Sequence, residues 1–290
     1  MHVSLDSALG RQRRLNSVGE SVLQIAPNAA AAYSLRSLTG GDPKVVRVRR
    51  DTDGGAGDND EQDFTASEVS SGALAAFVGS GNDGFVETWY DQSGNSNDAV
   101  QATAGSQPKI VNAGALVADN GIDFDGSNFL AATPVSGLEG SFSMFSTSVR
   151  DSGSGYTVSI SKSAANNRYF AIQEGGSTSV AVPRNSISGV SVADSVSGNN
   201  RLTFALTTSA TSTSVGALGS AVTTTTDDYG ENFTSGSGMN QIAIGLLRTV
   251  NPTGQFNGRI REILVYTSDQ TDNRGAIEAN IANHYNITLV

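Results

Sequence analysis

The chain of 290 residues carries a formal net charge of −10 and has a pI of about 4.6, which disfavours binding to nucleic acid or to an anionic membrane. It contains no cysteine, so disulfides and thiolate metal sites are excluded. Only 16% of the residues are charged, and no run approaches the ~20 apolar residues of a membrane span, so the composition is typical of short strands joined by tight turns.

The first 26 residues are predicted to form an N-terminal arm outside the main core, either extended or with one short helix. They lack the continuous apolar run and small-residue cleavage site of a secretory signal, so we expect none. Arginines make this arm basic on an acidic chain, which favours docking on an acidic partner, with a solvated tail as the alternative. Residues 27–290 are interpreted as one domain. The arginines assigned to anchoring are Arg11, Arg13 and Arg14.

Beyond the arm, short runs rich in β-branched and aromatic residues alternate with Ser, Gly and Asn turns, which predicts an all-β sandwich. A short helix is predicted over 71–78, and a C-terminal helix with Ser268 as its N-cap and Ile277, Ile281 and Tyr285 on one face. The Thr-rich segment 207–226 is either a loop or an edge strand. The predicted strands are 29–38, 45–50, 85–90, 108–111, 121–126, 142–149, 156–160, 169–173, 179–182, 201–207, 242–247 and 256–266.

One predicted strand holds the only tryptophan of the chain and runs directly into a loop rich in Asp, Asn and Gly. An aromatic platform beside planar amides and carboxylates is the chemistry that sugar binding requires. The alternative is that the tryptophan is a core residue and that the loop is held by its own hydrogen bonds. The carbohydrate-binding candidates are Trp89, Tyr90, Asp91, Gln92, Asn95 and Asn97.

The most acidic stretch, 51–63, combines carboxylate and amide side chains with several glycines. Oxygen ligands on a flexible loop are what Ca²⁺ requires, although the spacing does not match an EF-hand. A solvated acidic loop is the alternative, and the pair Asp227 and Asp228 is a second, weaker candidate. The calcium prediction rests on Asp51, Asp53, Asp58, Asp60 and Glu61, with Asn59 and Asp63 beside them.

A retaining glycosidase needs two carboxyl groups about 5 Å apart, one ionised and one protonated. No pair stands out by its spacing, and Asp91 and Asp125 each stand where an aspartate side chain stabilises a turn. The two histidines, His2 and His284, lie in the arm and the terminal helix, which argues against a Ser/His/Asp hydrolase or a histidine-based zinc site. No residue is therefore assigned as catalytic. The carboxyl candidates are Glu87, Asp91, Asp123, Asp125, Glu174 and Glu262.

Five blocks carry a family resemblance: Tyr-Ser-Leu-Arg at 33–36, Val-Arg-Val-Arg-Arg at 46–50, Trp-Tyr-Asp-Gln-Ser-Gly-Asn at 89–95, Gln-Pro-Lys-Ile-Val at 107–111 and Ile-Asp-Phe-Asp-Gly at 122–126. They resemble concanavalin A-like jelly-roll modules related to the catalytic domain of arabinofuranosidase B. The strand 256–266 and the helix after it are similar to the closing unit of laminin-G-like modules. The fungal arabinofuranosidases rely on several cysteines, which this chain lacks, so the resemblance implies the jelly roll and an affinity for carbohydrate rather than catalysis.

Cysteine-free modules of this type with a short N-terminal arm are expected in structural proteins of tailed bacteriophages. The sequence therefore predicts a virion protein, as a head decoration, neck or tail appendage, that touches host-surface glycans and packs against other virion proteins through residues 1–26. Thr-rich edges favour a homo-oligomer. A glycoside hydrolase of arabinofuranosidase type is the alternative, and a lectin domain cut from a larger secreted protein is a third hypothesis. Calcium is the only cofactor that the sequence suggests.

Overall fold

The computed structural model describes residues 19–52, 60–162, 169–176, 178–183, 190–193, 200–208, 212–226, 238–247, 249 and 252–290. These residues form an all-β sandwich in which the strands pair antiparallel, with a helix near the C-terminus. The predicted fold class is confirmed. No helix in the described ranges is both long and apolar enough to cross a bilayer.

In the first half of the chain, strands overlap each predicted strand segment, and the described residues also form four short strands and a helix over 66–70 that were not predicted. The helices are α1 (Val22–Ile25), α2 (Ala66–Ser70) and α3 (Ala73–Val78). The strands are β1 (Ala31–Ser34), β2 (Lys44–Asp51), β3 (Glu61–Thr65), β4 (Asp83–Trp89), β5 (Ala99–Val100), β6 (Lys109–Asn112), β7 (Ala115–Leu116), β8 (Ile122–Asp125) and β9 (Leu130–Ala132).

In the second half, longer strands precede the terminal helix α4 (Thr271–Tyr285). The Thr-rich segment contributes two strands, and the second, β17, pairs only with β16 among the described residues, as an edge strand would. The strands are β10 (Phe142–Arg150), β11 (Ser154–Ser161), β12 (Tyr169–Gly175), β13 (Thr178–Pro183), β14 (Val190–Ala193), β15 (Asn200–Thr208), β16 (Ser212–Ala217), β17 (Thr223–Thr226), β18 (Gln241–Ile244) and β19 (Asn257–Tyr266).

The strands form two layers. In one layer, β1 and β8 lie beside β19, followed by β10, β15, β16 and β17. In the other, the order is β3, β2, β4, β5, β9, β18, β11, β12, β13 and β14. Strand β6 pairs with both β4 and β8, so hydrogen bonding continues from one layer to the other.

Alternation along the strands separates two apolar clusters. In β10, Phe142 and Met144 face the other layer, whereas Phe145 faces the helices. In β19, Val265 faces the other layer and Leu264 faces the helices, which explains why the end of this strand is apolar on both faces. The inner cluster is the sandwich core, and the outer cluster joins the sheet to α1 and α4.

Helix α4 covers the outer face of the sheet through the predicted residues Ile277, Ile281 and Tyr285, all buried. The predicted N-cap is wrong, because the helix begins at Thr271 rather than directly after Ser268. The backbone carbonyl of Ser268 instead accepts a hydrogen bond from Ser143 Oγ, which holds the segment against β10.

The last residues of the predicted N-terminal arm pack on the outside of the sandwich, because Val22 and Ala26 are fully buried in the cluster that joins α1 and α4 to the sheet. Tyr266 donates a hydrogen bond to the Ala26 carbonyl at 3.0 Å, which fixes this segment further. Residues 19–26 are therefore part of the folded domain. The arginines Arg11, Arg13 and Arg14 lie outside the described residues, so their anchoring role stays a prediction.

Candidate functional site

Trp89, the proposed sugar platform, has no exposed surface. Its ring packs against Tyr33 with 5.7 Å between centroids, inside the sandwich core. A ring buried on both faces cannot stack on a ligand. The structure therefore corrects this part of the carbohydrate-site prediction in favour of the alternative that Trp89 is a core residue.

The Asp91 carboxylate organises the loop that follows. It accepts hydrogen bonds from the backbone amides of Ala32, Ser93 and Asn97 at 2.8, 2.9 and 3.0 Å, and from Ser93 Oγ at 2.7 Å. Four donors on one part-buried carboxylate leave little capacity for a ligand. Asp91 is therefore a structural residue that ties the loop to β1.

The remaining sugar-site candidates serve the same purpose. Gln92 accepts from the Leu38 amide and donates to the carbonyls of Ser34 and Arg36. Asn95 and Asn97 donate to backbone carbonyls at residues 29 and 30, and the Tyr90 hydroxyl donates to Asp63 at 2.7 Å. We call residues 91–98 the clasp, because the side chains of Asp91, Gln92, Asn95 and Asn97 bond to the segment 29–38, whereas Tyr90 bonds to β3.

The described part of the acidic stretch is paired with arginines of β2. Asp60 lies 2.5 Å from Arg50, and Glu61 lies 2.9 Å from Arg47. No group of three or more His, Asp or Glu side chains gathers within the described ranges. Asp51 lies 3.8 Å from Arg49, whereas Asp53, Asp58 and Asn59, like Asp227, Asp228 and His2, fall outside those ranges, so the calcium site stays a prediction.

Most of the carboxyl candidates for catalysis have structural partners. Glu262 accepts two hydrogen bonds from Arg36, at 2.7 and 2.9 Å. Asp125 stabilises a turn by accepting from the amide and hydroxyl of Ser127, and Glu87 accepts from the neighbouring Thr88 hydroxyl. Burial raises the pKa of Asp123, which faces Arg259.

Glu174, near the end of β12, differs from these groups. It is fully buried, and its Oε1 atom has no hydrogen-bond partner among the described residues. Its Oε2 accepts from Ser148 Oγ of β10 at 2.5 Å. Burial raises the pKa of Glu174 from 4.5 to about 7, although Ser148 and the nearby arginines, Arg201 first among them, act in the opposite direction. Such a carboxyl is part protonated at neutral pH, as a general acid requires.

The surroundings of Glu174 form a polar end to the otherwise apolar space between the layers. We define the polar end by Ser146, Ser148, Glu174 and Arg201, which occupy inward-facing positions of β10, β12 and β15 beyond the apolar ones. Ser146 Oγ is buried without a hydrogen-bond partner in the described part of the chain. Arg150 and Arg201 both donate to the Gly176 carbonyl, which braces the turn after β12. Burial raises the pKa of Glu174, and the described charged groups that act against this rise are three arginines, Arg201, Arg150 and Arg261.

A second feature is an open cleft of about 620 Å³ on the surface. Four separate segments meet there: the turn after β1, helix α2, the segment after β7 and the last turn of α4. No sequence pattern singled out this cleft, because its residues are distant along the chain. Its lining includes Leu35, Arg36, Ser37, Asp42, Ser67, Val69, Leu116, Asn120, His284 and Tyr285.

Comparison with known proteins finds relatives by structure only. No protein-family model and no curated protein sequence matches the chain. An arabinofuranosidase complexed with arabinofuranosyl-α-1,2-xylobiose aligns with a TM-score of 0.67 at 13% identity. A mutant GH54 α-L-arabinofuranosidase soaked with 4-nitrophenyl α-L-arabinofuranoside aligns at 0.63 and 14% identity.

Both alignments cover 91% of this chain but only 64% of the arabinofuranosidase chain, so this protein spans less than two thirds of their length. At such low identity the likeness establishes a shared fold and not a shared activity. The resemblance expected from the sequence is confirmed to that extent: the chain has the β-sandwich fold that these GH54 arabinofuranosidase structures have.

Proposed function

We propose that this protein binds a glycan at the polar end of its sandwich and does not hydrolyse it. The observation that carries the proposal is Glu174, a fully buried carboxyl whose Oε1 atom has no partner among the described residues. Leaving a buried acceptor unsatisfied costs about 1–3 kcal/mol, so this atom calls for a partner. Because Glu174 has no exposed surface, the proposal requires the strand ends around it to part and admit a ligand hydroxyl.

The chemistry of the polar end suits a sugar. Glu174 supplies an acceptor, Ser146 supplies a hydroxyl without a partner in the described residues, and Arg201 supplies positive charge close by. Sugar hydroxyls both donate and accept, so they can satisfy acceptors and hydroxyls at once. The arabinofuranosidase fold supports carbohydrate as the ligand class, and arabinofuranosyl-containing oligosaccharides are the first to test.

Binding is favoured over hydrolysis because a glycosidase requires a second carboxyl group beside the first. Among the described residues the charged groups that act on Glu174 are arginines, and Asp91, Asp125 and Glu262 are each engaged elsewhere. Hydrolysis remains the second candidate function, because the pKa of Glu174 of about 7 is that of a carboxyl suited to acid catalysis.

The experiment compares the wild-type protein with Glu174→Gln, which keeps the shape of the side chain and removes its charge. The matched control is Glu278→Gln, another buried glutamate, paired with Arg274 on α4. Calorimetric titration with arabinoxylan oligosaccharides should show binding that Glu174→Gln weakens at least tenfold and that Glu278→Gln preserves. Equal affinity in all three proteins, or no binding, would overturn the proposal.

The same proteins should be incubated with 4-nitrophenyl α-L-arabinofuranoside. If the wild type and Glu278→Gln release nitrophenol and Glu174→Gln does not, the function is hydrolysis rather than binding alone. Absence of release, together with binding, would support a non-catalytic glycan receptor.

A bacteriophage virion is proposed as the setting, on the sequence features alone: a basic N-terminal segment on an acidic, cysteine-free chain. Since Val22 and Ala26 belong to the folded domain, the test deletes residues 1–18 rather than 1–26. The deleted protein should fold with an unchanged melting temperature and fail to enter particles. Incorporation at the wild-type level would exclude anchoring through this segment.

A further inference from the structure

The open cleft shares no residue with the polar end, so it needs its own explanation. It is formed where α2, the segment after β7 and the end of α4 surround the turn that follows β1. Its volume of about 620 Å³ falls within the range of roughly 300–1,000 Å³ that small-molecule sites occupy.

The cleft contains hydrogen-bonding groups that the protein does not use. Ser37 Oγ is buried and has no partner among the described residues. The Asn120 side chain is exposed at the rim and makes no hydrogen bond within the described ranges, while its backbone adopts a left-handed conformation with φ 53°. An amide and a hydroxyl together offer both donors and acceptors, which favours a ligand that carries both kinds of group.

The charges that line the cleft disfavour an anionic ligand. Arg36 is neutralised by Glu262, which accepts two of its hydrogen bonds, and it also donates to Asn280. Hydrogen bonds from Ser67 hold the pKa of Asp42 below its usual range, so Asp42 is ionised at neutral pH.

The histidine at the other side of the cleft adds no compensating charge. Burial lowers the pKa of His284, and the positive charge of Arg36 lowers it further, so the imidazole is neutral at pH 7. Among the described residues that line the cleft, Arg36 and Asp42 carry opposite charges, and the one cation is already held by Glu262, so the cleft offers no unpaired cation to a carboxylate, sulfate or phosphate.

Apolar groups complete the surface. Leu35, Val69, Leu116 and Tyr285 all contribute to the lining, so part of the wall can contact a C–H face of a ligand. We propose that this cleft is a second carbohydrate site, which takes a neutral mono- or disaccharide and excludes uronic acids and other acidic sugars. Apolar contact on one side and mixed donors and acceptors on the other are the features that a sugar ring requires.

The test uses saturation-transfer NMR and calorimetry with two probes of equal size, the neutral disaccharide xylobiose and the acidic dimer of galacturonic acid. The wild type should bind xylobiose and show no measurable binding of the acidic dimer. Asn120→Ala should weaken xylobiose binding about three- to tenfold, as the loss of one hydrogen bond predicts.

Asn28→Ala is the matched control, because Asn28 is also exposed and left-handed, with φ 66°, and does not line the cleft. A substitution that fills the space, Leu116→Trp, should abolish binding, with the melting temperature measured to confirm that the variant folds. Equal weakening by Asn28→Ala, or acidic-dimer binding as tight as that of xylobiose, would overturn the proposal.

The variant Glu174→Gln distinguishes binding at the cleft from binding at the polar end. Loss of xylobiose binding in Glu174→Gln but not in Asn120→Ala would assign all sugar binding to the polar end and refute the cleft. The reverse result would establish the cleft and refute the polar end.

Discussion

Glu174 makes the stability of the protein depend on pH in a direction opposite to that of most carboxylates. Because the pKa of Glu174 is about 7 in the folded protein and 4.5 in ordinary surroundings, the folded state binds more protons than the unfolded state between these pH values. The free energy of unfolding therefore falls as pH rises through this window. Glu174→Gln removes the ionisable group and with it this part of the pH dependence.

The size of the effect follows from the same pKa values. A rise from 4.5 to about 7 corresponds to about 3 kcal/mol of differential interaction between the protonated and ionised forms. This stabilisation is fully present below pH 4.5, declines through pH 5 to 7, and is absent above about pH 8. Between pH 4.5 and pH 8, the free energy of unfolding of Glu174→Gln should therefore rise by about 3 kcal/mol relative to that of the wild type.

The assay is urea unfolding of both proteins at several pH values in this range, followed by the fluorescence of the single tryptophan. Comparing the two proteins at each pH cancels the contributions of the other titrating groups. Carbon-13 NMR of the Glu174 carboxyl gives an independent pKa. The reasoning would be refuted if the difference in the free energy of unfolding between the two proteins did not change with pH, or if the wild type became more stable relative to Glu174→Gln as pH rises. Either result would show that the arginines keep Glu174 ionised.

Three further predictions concern residues that hold the fold. Asp91→Ala should lower the free energy of unfolding by about 3 kcal/mol, because several donors of the clasp lose their acceptor. The control is Asp269→Ala, which removes an exposed aspartate that caps the Thr271 amide and should lower the free energy of unfolding by about 1 kcal/mol. Urea unfolding measures both changes. Tyr285→Phe should cost about 1–2 kcal/mol in the same assay, because its hydroxyl donates to the Arg261 carbonyl in a buried site. Trp89 is fully buried, so its emission should be blue-shifted and resistant to iodide quenching until the protein unfolds; emission at the wavelength of free tryptophan would contradict its place in the core.

Strand positions were predictable where polar and apolar residues alternate, because successive side chains of a strand point to opposite faces of the sheet. The run 256–266 is apolar on both faces, and the structure shows why: Val265 packs between the layers while Leu264 packs under α4. The helix start was mispredicted because the Ser268 hydroxyl accepts a hydrogen bond from the Gln270 side chain rather than from a helix amide, while the Ser268 carbonyl ties the segment to Ser143 of β10. A local pattern cannot reveal a partner 125 residues away.

The candidate sites were harder to predict for the same reason. The clasp has the composition of a sugar site, but its polar groups bond to residues 29–38, some 60 positions earlier in the sequence. Glu174 was one of six carboxyl candidates, and what distinguishes it is its burial beside Ser148 and Arg201 on other strands. The cleft combines four distant segments, so no spacing in the sequence could indicate it.

The clasp and the polar end together show that hydrogen-bond satisfaction, rather than residue type, separates a structural polar group from a candidate ligand contact. Asp91 accepts four hydrogen bonds within the chain, so a ligand there would have to displace protein donors at a cost. Glu174 retains a buried oxygen with no partner in the described residues, so a donor brought by a ligand would bond to it without displacing a protein donor. Of the two sites, the sequence favoured the first and the physical chemistry favours the second.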